Sequence, residues 1–227
     1  MCNEYQLRVR RADYDAAFRG RGVDSLWLDP EPNRPPERSF RPTDRAPLLR
    51  LGASGGLEGL EARWWLTPAF HRGPVSAWKA MCTNARIETV STAPAFRDAS
   101  RSGRCLVPAT AFFEYDQPPG WRKGQAKRRW EITWPETSPA GPLRVFAGVS
   151  ARAYPADHPD GLDSFAIITR PAGPALAALH DRQPAVVSLE AGLAWLRDGD
   201  LAALQAASSG ADLRLAEAPA RPRGSRL

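Results

Sequence analysis

The second residue of the chain is a cysteine, and this position allows chemistry that an internal cysteine cannot perform. Removal of Met1 would leave Cys2 with a free α-amine next to its thiol. Because such an amine has a pKa of roughly 7.7–8.0, a useful fraction of it is neutral near neutral pH. The amine can condense with an aldehyde, and the thiol can then close a thiazolidine ring on the same carbon. The alternative from position alone is a structural cysteine at the start of a buried strand.

Asn84 and Arg86 lie in a short polar segment, residues 83–89 (TNARIET). In an extended strand their two side chains project on the same side. An amide can orient an amine or a thiol, and a guanidinium can bind a phosphate through two hydrogen bonds. A polar strand edge without a binding role is the alternative.

Glu114 lies in residues 110–115 (TAFFEY), a segment that is largely apolar on both faces. A carboxylate on a strand buried on both faces needs a partner or a raised pKa, and a raised pKa suits a general acid or base. His180 follows an apolar run, in residues 179–184 (LHDRQP), and could transfer protons near neutral pH. A structural carboxylate and a capped helix end with surface charges are the respective alternatives.

The composition is typical of a globular protein, and its excess of basic residues fits a fold with one basic groove. The 227 residues are 43% hydrophobic, and 31 basic against 25 acidic side chains give a formal charge of +6, which favours an anionic partner. Three cysteines without a CxxC pair argue against disulfides or a zinc site and for a reducing compartment. The first residues lack the pattern of a signal peptide and no apolar run could cross a membrane, so we expect a cytoplasmic protein.

Many short strands and few helices predict an α+β fold with a curved, mainly antiparallel β-sheet core, barrel-like, and peripheral helices. Strands are predicted at residues 62–66, 104–107, 110–115, 129–134, 145–149, 164–169 and 185–188. Helices are predicted at residues 10–20, 174–179, 189–197 and 201–207, the last two after the N-caps Ser188 and Asp200. We expect one domain over residues 1–207 and a loose C-terminal tail over residues 208–227.

The segment between two of the predicted strands is strongly basic. Residues 117–129 contain five cations, namely Arg122, Lys123, Lys127, Arg128 and Arg129. We expect a mobile basic flap at this place, and a solvated hairpin tip is the alternative.

Taken in order, these motifs resemble the SRAP family, the SOS response-associated peptidase proteins of bacteria and their eukaryotic relatives. The resemblance spans most of the chain and rests on the following segments: MC at 1–2, RPT at 41–43, RWWLTP at 63–68, NARIET at 84–89, CLVPA at 105–109, FEY at 113–115 and HDRQP at 180–184. Each motif alone is a weak indicator of the family, but the ordered set with a cysteine at position 2 is specific.

The resemblance implies a curved β core with a positively charged groove, and a covalent thiazolidine crosslink to the ring-opened sugar of an abasic site in single-stranded DNA. It implies that Cys2 is the nucleophile and that Asn84 orients it. Glu114 would act as acid and base, and His180 would assist ring opening or crosslink reversal. The chemistry needs no metal or other cofactor, and we expect a monomer in the bacterial cytosol or nucleoid. The positions that match the family near the DNA path are Pro42, Phe70, Arg86, Thr169 and Arg182.

The sequence departs from the family pattern at several positions. The usual Cys-Gly-Arg start is Cys2-Asn3-Glu4 here, so Glu4 replaces a basic residue that would meet phosphate, and we expect it to repel DNA. The aromatic pair that wedges beside the lesion is Phe70-His71, and Phe70 can still stack on a base at roughly 1–3 kcal/mol.

Two rival functions stay open at this point. A cysteine peptidase, the activity in the family's name, could use Cys2, Glu114 and His180 to cleave an amide, most simply that of the protein's own first residue. A DNA-binding module that has lost its chemistry is the second rival. The departures at Asn3, Glu4 and Gln183 motivate it.

Overall fold

Most of the described chain is β-structure. The computed structural model describes residues 2–30, 38–135, 142–208, 210 and 212–220. The strands in these residues are β1 (Tyr5–Leu7), β2 (Ser25–Trp27), β3 (Arg38–Phe40), β4 (Arg45–Leu51), β5 (Leu57–Trp64), β6 (Asn84–Arg86), β7 (Arg104–Ala109), β8 (Ala111–Asp116), β9 (Arg128–Thr133), β10 (Arg144–Ala153), β11 (Leu162–Pro171), β12 (Arg182–Pro184), β13 (Val186–Ser188) and β14 (Arg214–Ala218). The α-helices are α1 (Arg11–Arg19), α2 (Arg97–Ser102), α3 (Leu189–Asp198) and α4 (Leu201–Ala207). The predicted α+β class with a mainly antiparallel β core is confirmed.

Five of the strands close into a ring. Antiparallel pairs join β11 to β10, β10 to β7, β7 to β4 and β4 to β5. A parallel pairing of β5 with β11 completes the ring, with Trp64 opposite Phe165. The aromatic side chains of Trp64 and Phe165 are fully buried and stack on each other, with their centroids 6.5 Å apart. Because a closed sheet has no free edges, the ring gives the protein a rigid core.

The far end of β11 runs beyond the ring and carries two short strands. Ile167 and Thr169 pair in parallel with Asn84 and Arg86 of β6, and Thr169 pairs in antiparallel fashion with Pro184 of β12. The segments 83–89 and 179–184 are distant in the sequence, and β11 brings them to the same edge of the barrel.

A second sheet has the strand order β14-β9-β8-β1-β3. Strand β14 pairs with β9, with Leu215 opposite Ile132, so the prediction of a loose tail is wrong for residues 214–218. The tail is ordered by the free edge of β9, and a non-local edge of this kind leaves no signal in the tail itself. Residues 221–227 of the predicted tail lie outside the described residues.

The helices cover the outside of the sheets. Helix α1 ends at Gly20 as predicted. The predicted N-caps are confirmed: Ser188 Oγ accepts from Ala191 N at 3.2 Å, and Asp200 Oδ1 accepts from Ala202 N at 2.8 Å. The predicted helix at 174–179 is wrong, because this segment forms only hydrogen-bonded turns. No helix among the described residues is long and apolar enough to cross a membrane.

Candidate active site at the start of the chain

The chain start lies against the strand that carries Glu114. In the antiparallel pair of β1 and β8, Tyr5 lies opposite Phe112, and the Phe113 N–H donates to the Glu4 carbonyl at 3.0 Å. Continuing this register places Glu114 opposite residue 3 and therefore next to Cys2. Pro42 follows β3, whose Phe40 pairs with Tyr5 on the other side of β1, so it comes to the same end of β1.

The Cys2 side chain is buried, and its thiol is held in the protonated form. Its Sγ donates to the Glu4 carbonyl at 3.5 Å. Burial, and after it the negative charge of Glu114, raise the pKa of the Cys2 thiol well above its ordinary value. A thiol in this state does not attack a carbon on its own near neutral pH, so a neighbouring base must take its proton.

Asn84 holds the backbone of Cys2. Its Nδ2 donates to the Cys2 carbonyl oxygen at 2.9 Å and to Thr83 Oγ1 at 3.2 Å. Because a carbonyl oxygen only accepts hydrogen bonds, this contact fixes which end of the amide faces Cys2. The Oδ1 atom of Asn84 is then buried and has no hydrogen-bond partner among the described residues, which leaves an acceptor at the start of the chain.

Glu114 is a buried carboxyl group with an altered acidity. Its exposure is 4%, and burial raises its pKa from the ordinary 4.5 to about 7. The negative charge of Asp181 also raises the Glu114 pKa. The turn that contains His180 and Asp181 therefore lies within electrostatic range of Glu114. A carboxyl group with a pKa of about 7 is present in both protonation states near neutral pH, as a general acid and base must be.

His180 has two partners that compete for the same ring nitrogen. The Arg182 backbone N–H donates to Nδ1 at 3.0 Å, and the Asp181 Oδ1 atom lies 2.8 Å from that nitrogen. Burial lowers the His180 pKa, so the neutral ring accepts from Arg182 through Nδ1 and carries its proton on Nε2. Protonation of Nδ1 would exchange the Arg182 partner for the Asp181 carboxylate, so the turn can hold either form of the ring.

Thr169 and Arg182 face into the protein, unlike the surface phosphate contacts that the resemblance implies. Thr169 is fully buried. The two terminal nitrogens of Arg182 donate to the Glu88 carboxylate at 2.6 and 2.9 Å, and one of them also donates to the Thr169 carbonyl at 2.8 Å. The guanidinium therefore holds β12 to β11, and a direct phosphate contact would require the pair with Glu88 to open.

Arg86 and Phe70 are the exposed members of the predicted DNA path. Arg86 is exposed, and its guanidinium makes no hydrogen bond or ion pair with a described residue. Phe70 is 50% exposed, and its ring packs edge-on against Trp78 with the centroids 5.8 Å apart. Arg86 thus presents an exposed cation, whose charge also helps to lower the Glu88 pKa after the hydrogen bond from Arg182, and Phe70 presents an accessible ring face.

Residue 43, in the RPT motif, has a strained backbone. Thr43 has a φ of 82°, the only positive value of a non-glycine residue among those described, and a β-branched side chain disfavours this conformation. The Thr43 N–H donates to the Trp64 carbonyl at 2.8 Å, and the Asp44 carboxylate accepts from the Arg41 N–H at 2.8 Å. These contacts fix the turn that carries Pro42, and strain of this kind is typical of functional sites.

Glu4 faces the interior of the protein, so its carboxylate is not exposed at the surface where the expected repulsion of phosphate would act. Its side chain is 2% exposed and pairs with Arg129, with Oε1 and Nη2 2.8 Å apart, and it also accepts from the Tyr115 hydroxyl. The Arg129 guanidinium lies 3.6 Å from the centroid of the Phe113 ring. Sequence reasoning missed this cluster, because Glu4 and Arg129 meet across β8 and only the strand register reveals it.

Comparisons with known proteins identify the family. A model of the family described as SOS response associated peptidase (SRAP) matches residues 1–218. The chain is 29% identical over 203 residues to abasic site processing protein YedK of Escherichia coli, covering 87% of this chain and 80% of that protein. It is 27% identical over 199 residues to abasic site processing protein YoqW of Bacillus subtilis, covering 86% and 80%.

Solved structures share the fold. A protein from Bacteroides thetaiotaomicron has a TM-score of 0.75 at 20% identity, covering 95% of this chain and 91% of that chain. A protein from Bordetella bronchiseptica has a TM-score of 0.72 at 22% identity, covering 96% and 100%. These likenesses establish the architecture alone.

Proposed function

The chain belongs to the SOS response associated peptidase (SRAP) family, and from this premise we propose that it captures abasic sites in single-stranded DNA covalently through Cys2. The names of YedK and YoqW as abasic site processing proteins support the choice of lesion. The observation that carries the proposal is the hydrogen bond from Asn84 to the Cys2 carbonyl at 2.9 Å. This bond holds the backbone of Cys2, and the register of β1 with β8 runs toward Glu114, whose pKa is about 7.

The reaction would begin at the amine of Cys2 after Met1 has been removed. The neutral amine attacks the aldehyde carbon of the ring-opened sugar and forms a carbon–nitrogen bond. A proton then moves from the nitrogen to the oxygen, and loss of the hydroxyl group as water gives a protonated imine. Glu114 in its protonated form donates the proton that the departing hydroxyl needs, and it becomes a carboxylate.

The thiol would complete the ring. As Sγ bonds to the carbon of the protonated imine, the thiol proton passes to the Glu114 carboxylate, and the nitrogen keeps its own proton and becomes a secondary amine. The net reaction joins protein and DNA with the loss of one water molecule and needs no oxidant or reductant. The raised thiol pKa fits this order, because the thiol stays protonated, and so resistant to oxidation, until the imine is in place.

DNA would be held by its backbone and by stacking. The exposed Arg86 is suited to a phosphate, and the half-exposed Phe70 ring is suited to a base. Neither contact distinguishes one base from another, which fits a protein that responds to a lesion in any sequence.

Mass spectrometry tests this function directly. Protein incubated with an oligonucleotide that contains one abasic site should gain the oligonucleotide mass less one water. Cys2→Ala should abolish this adduct, whereas Cys82→Ala, a change at another buried cysteine, should leave it. An unchanged adduct yield in Cys2→Ala would refute the proposal.

Self-cleavage after Met1 is a second candidate, and the position of Glu114 beside the Cys2 amide favours it. The Cys2 thiol would give its proton to the Glu114 carboxylate and attack the Met1 carbonyl carbon. Glu114 would pass that proton to the leaving amide nitrogen, and water would then release methionine from the thioester. Intact mass of freshly purified protein tests this step. Self-cleavage predicts that Met1 is absent in the wild type and retained in Glu114→Gln, and absence of Met1 in both would contradict it.

A further inference from the structure

The connection between β8 and β9 is a basic loop that the proposed chemistry does not use. We define the hairpin tip as residues 117–127 (QPPGWRKGQAK), which contain three cations and no acidic side chain. Arg122, Lys123 and Lys127 are all exposed, and none of them forms an ion pair with a described residue. The tip is therefore a concentrated positive charge on the surface.

The base of the same hairpin shows the opposite arrangement. Arg128 pairs with Asp116 across the two strands, and Arg129 pairs with Glu4. The cations of the base are thus neutralised within the protein, whereas those of the tip are not. This division argues against a hairpin that is uniformly basic for solubility, since solubility alone gives no reason to neutralise one end only.

The tip has a defined turn conformation. Gly120 and Gly124 have φ values of 76° and 99°, which favour glycine. The Trp121 indole N–H donates to the Gln125 carbonyl at 3.0 Å, and the Arg122 N–H donates to the Gln125 side chain at 2.8 Å. These contacts shape the loop, and the half-buried Trp121 directly precedes Arg122 and Lys123 in the chain.

The hairpin leads from the reactive end of the chain to the tip. Glu114 lies on β8, and Arg129 at the start of β9 is bonded to Glu4, two residues from Cys2. At about 3.3 Å per residue, the six residues from Glu114 to Gly120 reach up to about 20 Å. That distance corresponds to several nucleotides along a DNA strand.

We propose that the hairpin tip binds the phosphodiester backbone of DNA at a distance of several nucleotides from the abasic site. The three cations of the tip supply the positive charge that attracts phosphate. The base of the hairpin, whose arginines are paired within the protein, sets the distance of these cations from Cys2. The ligand chemistry is a DNA backbone, either of the same single strand or of a flanking duplex arm. The inference rests on the proposed function only in taking DNA as the ligand.

The test measures non-covalent binding to undamaged DNA, in which capture by Cys2 has no aldehyde to act on. The variant Arg122→Ala/Lys123→Ala/Lys127→Ala is compared with the wild type and with Arg97→Ala/Arg101→Ala/Arg197→Ala, which removes three exposed cations from α2 and α3. Dissociation constants are measured over a range of salt concentrations. One oligonucleotide is fully single-stranded, and the other carries a duplex arm.

We expect the tip variant to bind about tenfold more weakly at low salt and the control variant to bind as the wild type does. The slope of log K against log salt should decrease by about 2 if the tip meets single-stranded phosphates, and by about 3 with the armed DNA if it meets the duplex. Equal slopes and affinities for the tip variant and the control on both DNAs would overturn the inference.

The outcome is separable from that of the proposed function. If the wild type forms no adduct with abasic DNA but the tip variant loses affinity, the covalent function fails and the role of the hairpin tip stands. If the adduct forms with wild-type yield in both variants and neither affinity nor slope changes, the inference fails and the covalent function stands.

Discussion

The reactive corner and the hairpin tip show two different uses of polar groups. We call Cys2, Asn84, Glu114 and His180 the reactive corner; it is assembled from four separate segments, and its ionisable groups have pKa values altered first by burial. The hairpin tip is one continuous exposed segment whose cations are solvated. Charge–charge interactions are strong and only weakly screened by salt in the reactive corner. In the hairpin tip each such interaction is weak and is screened by salt.

The two regions should therefore respond differently to substitution. A change in the reactive corner should alter the rate of capture and its pH dependence with little effect on the salt dependence of binding. A change on the exposed cationic surface should do the reverse.

Glu114→Gln should give the largest effect. Loss of the acid and base should slow adduct formation by about 100-fold or more at saturating DNA, while the dissociation constant for undamaged DNA stays unchanged. The rate is measured by single-turnover kinetics on protein whose Met1 removal has been checked by intact mass. Asp116→Asn is the matched control, because Asp116 lies two residues away on β8 but pairs with Arg128, and it should react at the wild-type rate.

The same variant should be more stable than the wild type in alkaline solution. The folded protein raises the Glu114 pKa to about 7 from the ordinary 4.5, so the folded state binds the proton more tightly than the unfolded state. The stability contribution of Glu114 is thus fully present below pH 4.5 and is lost as the pH rises through 7. Denaturant unfolding at pH 8 should show Glu114→Gln ahead by up to about 3 kcal/mol. The two proteins should be nearly equal at pH 4, where both states bind the proton, and a gap that does not change with pH would contradict this account.

Arg86 and Arg182 were both predicted to lie near the DNA path, but Arg86 is exposed and Arg182 faces the interior. Arg86→Gln should weaken DNA binding by about tenfold at low salt and reduce the salt slope by about 0.7, with unchanged thermal stability. Arg182→Gln should instead lower the free energy of unfolding by about 1 kcal/mol or more, because it loses the bond to the Thr169 carbonyl. If Arg182→Gln changed the salt slope and left the stability intact, the inward orientation of Arg182 would not describe the DNA-binding form.

The sequence could predict those features of the protein that are determined by interactions between residues close together in the chain. Ser188 and Asp200 were correctly predicted as N-caps because a cap acts within three residues. The basic composition of the hairpin tip is likewise visible in one continuous segment. The position of β14 could not be predicted, since it depends on the free edge of β9 and not on the tail.

The reactive corner could be predicted only as a set of candidates. The order of the motifs predicted Cys2, Asn84, Glu114 and His180 together, but no pattern showed that β11 and the register of β1 with β8 bring their segments to one place. The inward orientation of Arg182 was missed for the same reason. Its partner Glu88 lies 94 residues away, and a guanidinium in a polar motif gives no sign of whether it faces protein or phosphate.

Glu4 and Arg129 give the most discriminating test, because Arg129 lies where the reactive corner meets the hairpin. Glu4→Gln removes the ion pair but keeps the backbone contact of residue 4 with Phe113, so we expect adduct formation to slow by only about 3–5-fold through looser positioning of Cys2. The double variant Glu4→Arg/Arg129→Glu restores a pair of opposite polarity and should recover most of the lost rate. Single-turnover kinetics and salt-dependent binding separate the possible outcomes. Recovery means that Glu4 acts by fixing the chain start. Tighter DNA binding by Glu4→Gln, with a steeper salt slope and no loss of rate, would mean instead that Glu4 repels phosphate despite its burial.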